Sequence, residues 1–134
     1  MKLDAKHQVL MAVYTEYQKD NPDMPKALLK PKENLGIESD AFITALKKLY
    51  SEGYITNPGI SGSGSDTCVS VAIMGKMMVT REGLEYVESM LNIDKTLSEK
   101  EKVNIIHKTF TEQGLDILTD FAAKVTAEII KSKI

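Results

Sequence analysis

The chain lacks most of what marks a secreted, membrane or metal-dependent protein. It has one cysteine, Cys68, so no internal disulfide can form and a reducing compartment is expected. It has no tryptophan, and its seven methionines suggest an adaptable core. No apolar run approaches the roughly 20 residues that a membrane helix needs. The start, Met1-Lys2-Leu3-Asp4, leads directly into a charged helical pattern without an apolar leader core. A cytoplasmic protein with no membrane partner is expected. Neither charge sign dominates: 17 Lys and Arg stand against 19 Asp and Glu, for a net charge of -2. That balance excludes a strongly basic nucleic-acid protein while leaving room for a local basic patch.

Catalytic signatures are also missing. His7 and His107 are far apart, with no HxxH, HExxH or CxxC spacing around them, so neither a metal nor another cofactor is expected. Cys68 sits in a β-rich run with no activating context in view, and a packed side chain is expected there. Gly62-Ser63-Gly64-Ser65 is followed by neither Gly-Lys-Ser/Thr nor a helix start, so it is not a phosphate loop. Nothing positions a Ser/His/Asp set, and no enzyme is expected.

What is present is a patterned chain of 134 residues, 43% hydrophobic, long enough for one domain with a real core. Leu3 to Lys19 reads as an amphipathic helix with Val9, Leu10, Val13 and Tyr17 on one stripe and Asp4 at its start. Asp20-Asn21-Pro22-Asp23 ends it. Met24 to Lys30 reads as a short helix with Pro25 in its first turn, limited by Pro31. Leu35-Gly36-Ile37 is a turn. A helix follows from Glu38 to Ser51, buried through Phe42, Ala45, Leu46 and Leu49, with Gly53 as its C-terminal cap.

Tyr54-Ile55-Thr56 reads as a short strand, and Asn57 to Asp66 as a Gly/Ser-rich tip. Thr67 to Val79 reads as a second strand, with Val69, Val71 and Ile73 on one face and a bulge or bend at Gly75. Thr80 caps a helix bearing Leu84, Val87 and Leu91. After the linker Asn92 to Thr96, Ser98 and Glu101 form a capping box for another helix, lined by Val103, Ile106 and Phe110. Gln113-Gly114 breaks it. A last helix carries Leu115, Leu118, Phe121, Ala122, Val125, Ile129 and Ile130.

The order helix, short helix, helix, hairpin, helix is that of an α+β winged helix-turn-helix, here with a helical C-terminal extension. The expected division is residues 1–92 for the winged helix and 97–134 for the extension, with dimerisation as the extension's candidate role. Leu35-Gly36-Ile37, Phe42 to Leu49, Glu52-Gly53-Tyr54-Ile55 and Val79-Thr80-Arg81-Glu82-Gly83-Leu84-Glu85-Tyr86 resemble the YjcQ family of small winged-helix proteins from Gram-positive bacteria and their phages. The resemblance covers Leu3 to Leu91. It implies a bacterial or phage setting and, by analogy, binding of double-stranded DNA.

In that arrangement the third helix meets the major groove. Its outward residues Thr44, Lys47, Lys48 and Ser51 are the candidate DNA contacts, with Lys26, Lys30, Lys32 and Arg81 on the backbone. Against this stand Glu38 and Asp40 at the helix start, which suit a helix cap, and a tip without Lys or Arg. DNA affinity draws on phosphate neutralisation. A small DNA-binding regulator of transcription is therefore the leading expectation, and a protein-protein interaction module without DNA contact is the alternative. The stripe Leu115, Leu118, Phe121, Val125 and Ile129 is expected to pair two copies into a homodimer; the other reading folds it back on Leu10, Val13 and Leu84 as core.

Overall fold

The computed structural model describes residues 2–62 and 64–132. Ser63 of the expected hairpin tip, and Met1, Lys133 and Ile134 at the ends of the two expected segments, lie outside the described residues. Among the described residues the fold is mostly helical, with eight α-helices and one small antiparallel pair of strands, an α+β arrangement. No described helix is long and apolar enough to cross a membrane.

Helix α1 (Ala5–Tyr17) begins where the extended Asp4 accepts a hydrogen bond from the His7 amide. It is the hub of the molecule. Every residue from Val9 to Glu16 is buried, because α4, α6, α7 and α8 surround it. The amphipathic reading is corrected here: the face expected in water is covered by the C-terminal helices. Tyr14 is in the core, and Tyr17 is 38% exposed.

Helix α2 (Met24–Leu28) is capped by Asp23 and has Pro25 in its first turn, as its sequence suggests. Pro31 does not simply end it. Lys30 takes a left-handed conformation (φ 58°) and Pro31 opens a further helix, α3 (Pro31–Leu35), where a proline ring suits the first turn. The turn at Gly36 leads into α4 (Ser39–Ser51), which buries Phe42, Ala45, Leu46 and Leu49. Gly53 then holds φ 81°, which lets the Tyr54 amide reach back to the Leu49 carbonyl at 2.9 Å and closes the helix end.

The hairpin is shorter and more irregular than its alternating pattern suggests. At its base Ile55 and Val79 form a single antiparallel bridge. Further out, β1 (Ile60–Ser61) pairs with β2 (Cys68–Val69), with Ile60 opposite Val69 and Ser61 opposite Cys68. A 3-10 turn, Gly64–Asp66, belongs to the tip. The long second strand expected from Thr67 to Val79 is not formed. Ser70 accepts the Ile73 amide through its hydroxyl and caps a short helix, α5 (Val71–Met74), so Val71 and Ile73 point outward while Met74 and Met77 enter the core. Gly75 ends that helix in a turn, so of the two expectations it marks a bend and not a bulge. Cys68, expected to pack, is exposed.

Thr80 caps α6 (Arg81–Leu91) by accepting the Gly83 amide at 3.1 Å. Val87 is buried, whereas Leu84 and Leu91 are only half-buried. Helix α7 (Glu99–Glu112) starts with the Ser98/Glu101 capping box and buries Val103, Ile106 and Phe110. The Gln113-Gly114 break separates it from α8 (Asp116–Ser132).

Helix α8 packs on α7, α3 and α1. Its stripe Leu118, Phe121, Val125 and Ile129 is buried within the chain, with Leu115 half-buried beside it, and Asp116, Asp120, Lys124 and Glu128 face water. Within the chain, the stripe expected to pair two copies is covered by the protein's own helices, the arrangement in which it folds back as core. Residues 97–132 share one hydrophobic cluster with the helices before them. The Leu3 amide also donates to Gln113 Oε1 at 3.1 Å, which ties the segment before α1 to the break between α7 and α8.

Candidate nucleic-acid interface

The exposed side of α4 follows from its sequence. Positions 40, 44, 47, 48 and 51 recur at three- and four-residue steps, so they share the face opposite Phe42, Leu46 and Leu49. Asp40, Thr44, Lys47, Lys48 and Ser51 are all exposed. Lys47 Nζ donates to the Gly62 carbonyl at 3.2 Å, so the hairpin tip lies against this same helix. Thr44 and Lys48 border a shallow groove shared with Asp4, Lys6 and Asp40.

The groove's charges are largely matched. Lys6 Nζ donates to both Glu52 oxygens, at 3.0 and 3.1 Å, and those bonds raise the Lys6 pKa. Asp4 is held below the ordinary carboxylate range, first by the His7 amide and also by the His7 ring at 2.6 Å. The other ring nitrogen of His7 lies 2.7 Å from the Tyr86 hydroxyl, and Tyr86 packs against Tyr54 at the hairpin base. This network secures α1 to α6 beside the face.

The backbone candidates do not converge with α4 as a set. Lys32 Nζ lies 3.3 Å from Glu38, which makes no side-chain cap bond and so serves as an ion-pair partner instead. Arg81 Nε lies 3.2 Å from Glu85, which Lys95 also approaches at 3.7 Å. Lys26 lines a cleft between α2 and α8. Lys30 is exposed at the corner between α2 and α3. The structure thus groups Thr44, Lys47, Lys48 and Ser51 and disperses Lys26, Lys30, Lys32 and Arg81.

The Lys6–Glu52 pair and the Lys47–Gly62 contact were not legible in the sequence. They join positions 46 and 15 residues apart, and no local pattern announces either. Among the described residues, no three His, Cys, Asp or Glu side chains gather as they would around a metal ion.

No curated protein and no solved structure matches the chain. A family model does match, that of the YjcQ protein, over residues 7–105. The match runs past Leu91 into α7, so the relationship extends beyond the hairpin and α6 into the first of the C-terminal helices. With well over half of its length matched, the chain belongs to the YjcQ family.

Proposed function

We propose that this protein is a small winged-helix DNA-binding regulator of transcription whose contact face is the exposed side of α4 together with the hairpin. The observation that supports this most is the grouping of Thr44, Lys47, Lys48 and Ser51 on one exposed helix face, with the hairpin tip held against it by Lys47. Two lysines can neutralise phosphates, and two hydroxyls can meet bases or phosphates. With so few free cations the complex is weak and salt-sensitive. If a regulator of this kind works as a pair on two half-sites, the copies meet through a surface other than the occupied α8 stripe.

A second reading, a protein-interaction module, has its own support. Lys6, Lys32 and Arg81 are committed to Glu52, Glu38 and Glu85, which leaves few free cations around the face. Val71 and Ile73 on α5 are 55% and 43% exposed, an apolar surface that DNA does not need. Fluorescence anisotropy with a random-sequence duplex at low salt separates the two. Binding that weakens steeply with added salt supports the DNA regulator. A folded protein with no binding supports the interaction module.

A further inference from the structure

A cleft of about 290 Å³ lies on another part of the molecule, between the end of α1, α2, α3 and α8. Its size is at the lower end of what small-molecule sites occupy. Phe121, Val125 and Ala27 supply an apolar floor, and Ile117 adds a partly open aliphatic wall. Polar groups close in from several sides, with Glu16 among the residues lining it.

Glu16 is the unusual member. It is only 2% exposed, at the end of the buried run Val9 to Glu16 of α1. Its Oε2 accepts the Lys19 ammonium and the Asp23 amide, each at 2.8 Å. Its other oxygen, Oε1, receives no hydrogen bond from any described residue. No described side-chain oxygen is both fully enclosed and without a partner. Glu16 lines the cleft, and Oε1 is the oxygen that Lys19 and the Asp23 amide leave open. A buried carboxylate with an open oxygen is a strong acceptor, since little water competes for it.

The balance of charge sets the sign of the ligand. Five carboxylates, Glu16, Asp23, Glu33, Asp120 and Glu128, line the cleft against Lys19, Lys26 and Lys124. Lys19 is already shared between Glu16 and Glu128, at 2.8 and 2.5 Å. The surplus is negative, and the open hydrogen-bonding position is an acceptor.

We propose that this cleft binds a small organic cation: a primary amine on an apolar body about the size of a phenylethyl group. The ammonium donates to Glu16 Oε1 and to the Asp120 and Glu128 carboxylates at the rim. The body lies over Phe121 and Val125. The site is separate from the α4 face, and the inference does not depend on what that face binds.

The test is an NMR titration of the full chain with phenylethylamine, with 3-phenylpropionate as an anion of similar shape. The amine should give saturable shifts centred on the amides of Asp23, Ala27, Asn34 and Val125, and the acid should not. Glu16→Gln should weaken the amine at least about tenfold, since a charge-assisted bond is lost. Because Glu16 is buried, the exposed pair Asp120→Asn with Glu128→Gln provides a second variant that leaves the core intact, and it should weaken the amine similarly. The proposal is overturned if the amine gives no saturable shift across the millimolar range, if the acid shifts the same amides equally, or if the rim variant binds the amine as well as the natural protein does.

Discussion

The Tyr14 hydroxyl donates to Glu88 Oε2 at 3.0 Å inside the core, linking two residues 74 positions apart. Lys102 approaches the same oxygen at 3.4 Å, so one buried carboxylate joins α1, α6 and α7. Burial, followed by the bond to Glu88, pushes the Tyr14 pKa upward, and the hydroxyl stays a donor across the accessible pH range. Tyr14→Phe keeps the ring and removes the donor. The expected loss is roughly 1.5–3 kcal/mol, because the acceptor is charged and stays buried. Urea unfolding with an unchanged m-value measures it. A variant as stable as the natural protein would show that Lys102 alone satisfies Glu88.

Gly83 occupies the first turn of α6, where alanine would ordinarily help a helix by about 1 kcal/mol. Here a Cβ would sit 2.3 Å from the Tyr54 carbonyl oxygen and 2.7 Å from Val79 Cγ2. The hairpin base packs directly on the helix backbone. Gly83→Ala should therefore destabilise, at a cost of about 1–3 kcal/mol, typical of overpacking. Gly53→Ala, with open space around its Cβ but φ at 81°, should cost about 1 kcal/mol from backbone strain alone. Thermal melts of the two variants compare steric contact with strain directly.

These positions show how much of the fold the sequence discloses. The buried stripe of α4, the cap at Gly53, the Thr80 cap, the Ser98/Glu101 box and the Gln113-Gly114 break are local signals, and each corresponds to a feature of the structure. The failures are non-local or competing. Val69, Val71 and Ile73 alternate like a strand, but Ser70 caps a helical turn and Met74 and Met77 take the buried positions. The α8 stripe is apolar whichever surface covers it, so periodicity alone cannot distinguish its own core from a second copy. On the α4 face, the exposure of Thr44, Lys47, Lys48 and Ser51 follows from helical spacing. The pairing of Lys32 and Arg81 with carboxylates depends on side-chain placement, which spacing does not encode.

Phe121 tests whether the tail serves as core or as interface. It is 9% exposed and packs within the single core cluster. Phe121→Ala should cost roughly 3–5 kcal/mol. Phe121→Asp should leave little folded protein, since it buries a charge with no partner. Circular dichroism and sedimentation of both variants give the answer. A Phe121→Asp protein that keeps its helix content and merely changes mass would return the stripe to an interface role.

Lys47 and Lys48 test the α4 face. Lys47→Ala removes the contact with the Gly62 carbonyl as well as a positive charge, whereas Lys48→Ala removes charge beside the Asp4/Asp40 groove. If DNA is bound there, each substitution should weaken binding to any duplex and lower the salt slope by about one unit. Lys47→Ala should cause the larger loss, because the hairpin is also released. Anisotropy titrations at several salt concentrations resolve the two effects. Equal slopes for natural and double-variant proteins would remove these lysines from the interface.

Glu16 makes a pH-dependent contribution whose sign follows from its surroundings. Burial raises its pKa above the ordinary carboxylate value, and this outweighs the opposing bonds from Lys19 and Asp23. Between the unfolded value and the raised folded one, the folded state holds the proton more tightly. Stability from this residue is therefore fully present below the unfolded pKa and falls as pH rises through the folded one. Glu16→Gln cannot titrate and removes this dependence. The natural protein should lose stability relative to Glu16→Gln as pH rises from about 4 toward neutrality, a window that starts near the unfolded carboxylate value. Urea midpoints for both proteins across that range give the difference directly. A difference that is flat, or of opposite slope, would mean that Lys19 and the Asp23 amide outweigh burial and keep Glu16 ionised throughout.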